Sequence, residues 1–147
     1  MENIEKYYEF VENIIRSFGI DPTVLRGNNP GQWNLQKGTA PVWVDVFKNE
    51  QGAGYFQVMS PICGIPQNNQ SEFYQEILEI NHKLFGVGMT KYEEGIYLKV
   101  IRELDGLDEN EIKAMFNRIG YYADEYDDYL KNKYFGIPAE RSRGEQA

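Results

Sequence analysis

The residues best suited to catalysis or metal binding are scarce in this chain of 147 residues, which has one histidine, His82, and one cysteine, Cys63. One histidine does not provide for a multi-histidine metal site or a histidine-based triad. His82 falls late in a predicted helix, near its negative end, so the sequence favours a surface or capping role. Cys63 has no basic residue close by in sequence to lower its pKa, which favours a small buried apolar side chain over a nucleophile.

Acidic residues are concentrated in two segments, 105–111 and 124–128. The first lacks the alternating acids and central glycine of a calcium loop, and its Asp108 and Glu111 are explained by the start of a helix. The acids of the second are predicted to form the solvated face of that helix: Asp124, Glu125, Asp127 and Asp128. The segment 52–54 is typical of a turn and lacks the surroundings of a nucleotide-binding motif. We therefore predict no catalytic residue, no cofactor and no metal ligand, and expect a protein that is not an enzyme.

The charge balance disfavours two classes of partner. Lysine and arginine number 15, aspartate and glutamate 23, and the net charge is −8, which repels nucleic acid and anionic membrane surfaces. The same balance suits a basic partner, although solubility alone would explain it. The first six residues contain acids where a signal peptide has basic residues, and no apolar run approaches the roughly 20 residues of a membrane span. We expect a soluble cytoplasmic protein.

Apolar periodicity predicts three helices in a single domain, residues 3–137, followed by a polar, disordered tail at 138–147. The first helix runs from Ile4 to Phe18 and ends at Gly19. The second begins with a capping box formed by Asn69 and Glu72 and ends at Gly86. The third begins at Asp108 and continues to about residue 134.

Short β-rich runs between turn signals predict the strands. They cover residues 42–47, 55–59, 87–92 and 95–101, with a further short strand at 32–35. Ser60-Pro61 is expected to end the strand that starts at Tyr55. The resulting order is α-β-β-β-α-β-β-α, and the tight turns between consecutive strands indicate an α+β fold with a mainly antiparallel sheet of about five strands.

Alternation within these strands gives the sheet two apolar faces. Val42, Val44 and Val46 point to one side, which must carry the helices. The other side mixes a few charged or polar residues with large amphipathic ones, a composition typical of a contact surface. Its candidate partner-binding residues are Trp43, Phe47, Tyr55, Met59 and Tyr97. Two alternatives stay open, since one of the chain's own helices or an identical subunit could cover this side. Within the second helix, Asn81 stands among apolar residues and is predicted to tie the helix to a neighbouring strand.

The element order and several segments resemble the YbjN-type family and the type III secretion chaperone-like fold. The resemblance covers about residues 3–135 and rests on structural motifs. These are Pro41-Val42-Trp43-Val44, Ser60-Pro61 with Ile65-Pro66, the helix from Phe73 to Leu84, the run from Gly95 into Leu107-Asp108-Glu109-Asn110-Glu111, and Tyr122-Ala123-Asp124-Glu125-Tyr126-Asp127.

This resemblance implies a small, acidic, non-enzymatic protein that is often a homodimer. Secretion chaperones of this fold hold an extended segment of a client protein against apolar patches, whereas YbjN-type members are linked to sensory or stress regulation. The first hypothesis is therefore a module that binds a protein or peptide client on the second sheet face. The second is a regulatory or structural homodimer that uses the same face for self-association. An enzyme with an unusual carboxylate or tyrosine site is a third.

Overall fold

The computed structural model describes residues 3–138, so Met1, Glu2 and residues 139–147 of the predicted tail lie outside the described residues. The helices are α1 (Ile4–Ser17), α2 (Gln70–Lys83) and α3 (Glu109–Phe135), with a short 3-10 helix at Pro22–Leu25. The strands are β1 (Gln32–Lys37), β2 (Ala40–Lys48), β3 (Gly54–Gly64), β4 (Gly88–Tyr92) and β5 (Gly95–Glu103). The predicted α+β class and element order are confirmed.

All five strands form one antiparallel sheet in the order β1-β2-β3-β5-β4. The predicted hairpin of β2 and β3 is present, with Val44 opposite Val58. Helix α3 crosses β2, β3 and β5, while α1 packs beside it on β2 and α2 contacts β4. The core lies between the helices and the sheet face that carries Val42 and Phe56, both fully buried.

The start of α3 at Asp108 and the end of α1 at Gly19 follow the predicted signals, and α1 also has a cap, Asn3, that was not predicted. The side chain of Asn3 accepts a hydrogen bond from the Glu5 amide, and that of Asp108 accepts one from the Glu111 amide at 2.8 Å. At the end of α1, Gly19 has a φ of 82°, and the Ile20 amide reaches back to the Ile15 carbonyl oxygen. Glycine adopts this left-handed conformation at little cost, which is why the helix ends there.

Helix α2 begins directly after Asn69, as predicted, but its predicted capping box and its predicted end are wrong. Asn69 has a left-handed backbone, with φ 58° and ψ 37°, and its side chain makes no capping hydrogen bond. An N-cap residue normally has an extended backbone that aims its side chain at the first turn, so the capping box with Glu72 does not form. The helix ends at Lys83 rather than Gly86, because Leu84 turns to an extended conformation with ψ 146°.

Strand β3 is longer than predicted and continues through Pro61 to Gly64. Proline usually interrupts a central strand because it has no amide hydrogen for the ladder. Here the register of β3 and β5 shifts between Pro61 and Cys63, and the strand resumes with Cys63 opposite Ile96. This irregularity accommodates Pro61, and the buried Ser60 hydroxyl adds a hydrogen bond of 2.6 Å to the Pro41 carbonyl oxygen of β2.

The prediction that the acids of α3 all form its solvated face is wrong for Asp127. Asp127 is only 3% exposed and lies on the same stripe of α3 as the buried residues Ala123 and Leu130. Positions four before and three after a helical residue share its face, so Asp127 is directed into the protein. Asp124 and Glu125 are exposed, and Asp128 is half-buried.

Candidate protein-binding face

The sheet face opposite the helices is the candidate site, and we call it the outer face. It is formed by the outward residues of the three central strands: Trp43, Asp45 and Phe47 of β2, Tyr55, Gln57 and Met59 of β3, and Tyr97, Lys99 and Ile101 of β5. Trp43 is 37% exposed, whereas its neighbours Val42 and Val44 are 0% and 1% exposed. The predicted division of the sheet into two faces is confirmed.

The five candidate partner-binding residues lie in cross-strand register on this face. Trp43 is opposite Met59, and Phe47 is opposite Tyr55. Tyr97 of β5 is opposite Pro61 and lies beside the same strand as Met59. The structure therefore brings all five together, and their role in binding stays a prediction.

Their aromatic rings form two groups at different heights along the strands. The ring of Trp43 lies 5.9 Å from that of Tyr97, which is 6.2 Å from the ring of Tyr92 on β4. Phe47 and Tyr55 stack at 6.0 Å in the second group. Tyr92 is 59% exposed and was absent from the predicted set. Its position directly before the β4–β5 turn, two residues after the outward Thr90, was the available signal.

A polar strip separates the two aromatic groups and consists of Gln32, Asp45 and Gln57. These residues are opposite one another on β1, β2 and β3. The Gln57 side-chain amide donates to the Asp45 carboxylate at 3.4 Å, and the Gln32 amide donates to it from the other side. Partial burial raises the pKa of Asp45, and these two hydrogen bonds oppose that shift.

None of the helices between residues 4 and 135 lies over the outer face, since α1, α2 and α3 pack on the opposite side of the sheet. The alternative in which the chain's own helix covers Trp43 is therefore wrong for the described part of the chain. Self-association or a separate partner are the remaining ways to cover it. Large aromatic residues left facing solvent on a sheet commonly mark an interaction surface.

The two edges of the sheet differ. At the β4 edge, the Asn81 side chain donates to the Met89 carbonyl oxygen at 3.1 Å and accepts from the Met89 amide at 2.6 Å. Asn81 thus ties α2 to a strand, as predicted, and occupies the backbone groups that a further strand would use. At the β1 edge, the Gly27 amide donates to the Gln32 carbonyl oxygen at 2.7 Å, so Gln32 directs its backbone away from β2. An antiparallel bridge between Arg26 and Trp33 covers the same part of β1, so the first half of this edge is already paired within the chain.

Sequence reasoning missed a buried carboxylate in α1. Glu12 is 7% exposed and accepts two hydrogen bonds from the Arg26 guanidinium, at 2.8 and 2.9 Å, and one from the Trp33 indole at 2.9 Å. The Arg26 hydrogen bond is the main reason that the pKa of Glu12 lies below its usual value. A glutamate at this position of an amphipathic helix falls between the buried Val11 and Ile14, which was the only signal.

Cys63 and His82, the two residues considered for chemistry, lie in different environments. Cys63 is half-buried, and burial raises the pKa of its thiol to about 11, so the thiolate is rare near neutral pH. His82 is exposed on the last turn of α2. Within residues 3–138, no group of three histidine, cysteine, aspartate or glutamate side chains is arranged to hold a metal ion. No helix in that range has the length and apolar character needed to cross a bilayer.

The fold is similar to that of solved type III secretion chaperones and their complexes. The ExsC–ExsE complex is a solved structure whose matched chain is 12% identical, with a TM-score of 0.67 over 88% of this chain and 97% of that one. The HopA1–SchA chaperone–effector complex matches at 13% identity and a TM-score of 0.61, covering 82% and 92%. The Yersinia pestis type III secretion chaperone SycH, bound to a fragment of YscM2, matches at 16% identity and a TM-score of 0.56, covering 80% and 96%.

The chain belongs to the YbjN family, whose model matches residues 8–132 and is described as "Putative bacterial sensory transduction regulator". No curated protein matches it. The predicted resemblance is thus confirmed, both for the family and for the fold.

Proposed function

We propose that this protein is a non-enzymatic module that binds a segment of another protein on its outer face. The observation that carries the proposal is an aromatic sheet face that the chain's own helices leave uncovered. Trp43, Tyr92 and Tyr97 supply large, partly exposed rings of the kind that dominate protein interfaces. HopA1–SchA is a chaperone–effector complex, and SycH is a chaperone bound to a fragment of YscM2, so two solved structures of this fold support a protein partner here.

The layout of the outer face supports an extended conformation for the bound segment, because Trp43 and Phe47 of its two aromatic groups follow one another along β2. Side chains of the segment would then select it through the outer face.

The test compares capture of partner proteins by the wild type and by the double variant Trp43→Ala/Tyr55→Ala. Both proteins are immobilised, exposed to extract of the native cell, and the retained proteins are quantified by mass spectrometry. We expect the double variant to lose its specific partners by about tenfold or more, since each buried aromatic anchor contributes roughly 2 kcal/mol.

Phe85→Ala is the matched control, because Phe85 is 75% exposed but follows α2, away from the outer face. It should retain the same partners as the wild type. Circular dichroism establishes that all variants are folded. Undiminished capture by the double variant would contradict the proposal.

A second candidate is a homodimer that uses the outer face for self-association. The observation in its favour is that Asp45 and Lys99 share this face. A two-fold axis would place Asp45 of each copy opposite Lys99 of the other copy. Light scattering separates the two functions. Under this second candidate Trp43→Glu converts a dimer to a monomer, whereas under the first it leaves the oligomeric state unchanged and abolishes partner capture.

A further inference from the structure

Asp45 is the side chain of the outer face whose charge is hardest to cover. It lies on β2 between the two aromatic groups, with Trp43 two residues before it and Phe47 two residues after it. Its recorded hydrogen-bond partners are the neutral amides of Gln57 and Gln32. A neutral amide stabilises a carboxylate less than a cation does, so Asp45 depends on water for part of its solvation.

Lys99 also carries a charge on this face, but its geometry differs. It lies on β5, separated from β2 by one strand, opposite Met59. A lysine has a long flexible stem that lets the ammonium stay in solvent while its methylene groups contact an apolar surface. The short side chain of Asp45 has no such freedom, and its carboxylate is fixed within the strip.

A partner that covers the outer face removes the remaining water from Asp45. Burial of an unpaired carboxylate costs several kcal/mol, which would offset the gain from covering Trp43 or Phe47. The cost falls when the partner supplies a cation with hydrogen-bond donors. The face therefore discriminates among apolar segments by what they place over Asp45.

We infer that the bound segment presents a lysine or arginine to Asp45, between two apolar side chains that contact the two aromatic groups. This inference rests on the proposed function and specifies the class of partner: a segment of another protein with a central basic residue. The acidic balance of the chain, with a net charge of −8, is complementary to such a segment.

The strand geometry also predicts the spacing. Trp43 and Phe47 are four residues apart on β2, about 13 Å at the rise of a strand. An extended segment that lies along β2 has the same rise. Its apolar residues therefore fall at positions i and i+4, with the basic residue at i+2.

A library of random 12-residue peptides displayed on phage tests the inference. It is selected in parallel on the wild type, on Asp45→Lys, on Asp45→Asn and on Trp43→Ala/Tyr55→Ala. We expect peptides from the wild type to be enriched in lysine or arginine between apolar residues, and those from Asp45→Lys in aspartate or glutamate at that position. Asp45→Asn, which changes shape least, should lose the preference for a basic residue and guards against misfolding of Asp45→Lys.

Synthetic peptides from the wild-type selection provide the quantitative test. Replacing the central basic residue by glutamate should weaken binding to the wild type by about tenfold or more and should strengthen binding to Asp45→Lys. A preserved affinity for both peptides would overturn the inference but leave the proposed function standing.

Two further outcomes concern the occupant. If wild type and Trp43→Ala/Tyr55→Ala select the same peptides, no binding depends on the face, and both the proposed function and this inference fail. If the wild type selects no peptide and forms a dimer that Trp43→Glu dissociates, a second copy occupies the face and the inference is overturned.

Discussion

Glu12 and Asp45 are both carboxylates held against apolar surroundings, and the regions around them differ in one respect. Glu12 lies between α1 and β1, where Arg26 and Trp33 supply charged and neutral donors from within the chain. Asp45 lies on the outer face with neutral amides alone. The pKa of Glu12 is accordingly lowered and that of Asp45 raised.

The difference separates a structural region from the region that we propose for interaction. At Glu12, where the chain covers its own surface, the buried charge comes with its counterion Arg26. The outer face has aromatic side chains without a covering element and a carboxylate without an internal cation. Under the proposed function, another molecule completes this face, at some cost to the stability of the free protein.

The largest expected effect is a difference in the free energy of unfolding between variants of two adjacent β3 residues that point to opposite faces. Phe56 is fully buried, and Phe56→Ala should reduce the free energy of unfolding by about 4 kcal/mol because it leaves a cavity in the core. Tyr55→Ala, on the outer face, should cost less than about 1.5 kcal/mol. Urea denaturation of the two variants measures both values. Equal losses would show that the outer face is part of the protein's own core and would break the comparison.

The next effect concerns the internal counterion. Glu12→Ala leaves the Trp33 indole N–H buried without its acceptor and removes the partner of Arg26, so we expect a loss of about 2 to 3 kcal/mol in the free energy of unfolding. Glu9→Ala is the control, since Glu9 is exposed on the same helix and should change stability by less than about 0.5 kcal/mol. Similar unfolding curves for the two variants would contradict a structural role for Glu12.

The smallest effect has the opposite sign and depends on pH. Because the pKa of Asp45 is raised in the folded state, ionisation of Asp45 favours the unfolded chain above that pKa. Asp45→Asn should therefore be more stable than the wild type at pH 7, by about a few tenths of a kcal/mol after allowance for its partial exposure. The difference should disappear as the pH falls through the Asp45 pKa, and urea midpoints at pH 7 and pH 4 measure it.

Glu12→Gln provides a test in which the expected change in stability has the opposite sign. The pKa of Glu12 is lowered in the folded state, so its carboxylate stabilises the fold above its unfolded pKa, and the contribution is lost as the pH falls through the folded value. The Gln variant should be less stable than the wild type at pH 7, and the gap should narrow on acidification. A lower stability of Asp45→Asn at pH 7 would show that the strip contributes to folding and would remove the contrast.

Much of the fold was accessible from the sequence because it depends on local patterns. The alternation in β2, the glycine after α1 and the cap at Asp108 each involve residues close in the chain, and the structure agrees with all three. The errors fall where a distant contact overrides a local preference. Asparagine is a residue type that commonly caps helices, but Asn69 has a left-handed backbone. Pro61 remains in β3 because the register between β3 and β5 shifts there.

The candidate site divides in the same way. Alternation by itself determined that Trp43, Asp45 and Phe47 share a face, since a strand sends successive side chains to opposite sides. Only the tertiary structure decided that this face is the bare one, because helix placement depends on how three apolar stripes pack together. It also decided that Asp127 is buried and that Glu12 meets Arg26, 14 residues away, while Asp45 meets amides alone. Charge pairing depends on the distance in space between an acidic residue and the nearest cation, and this distance cannot be read from the residue's position in the sequence.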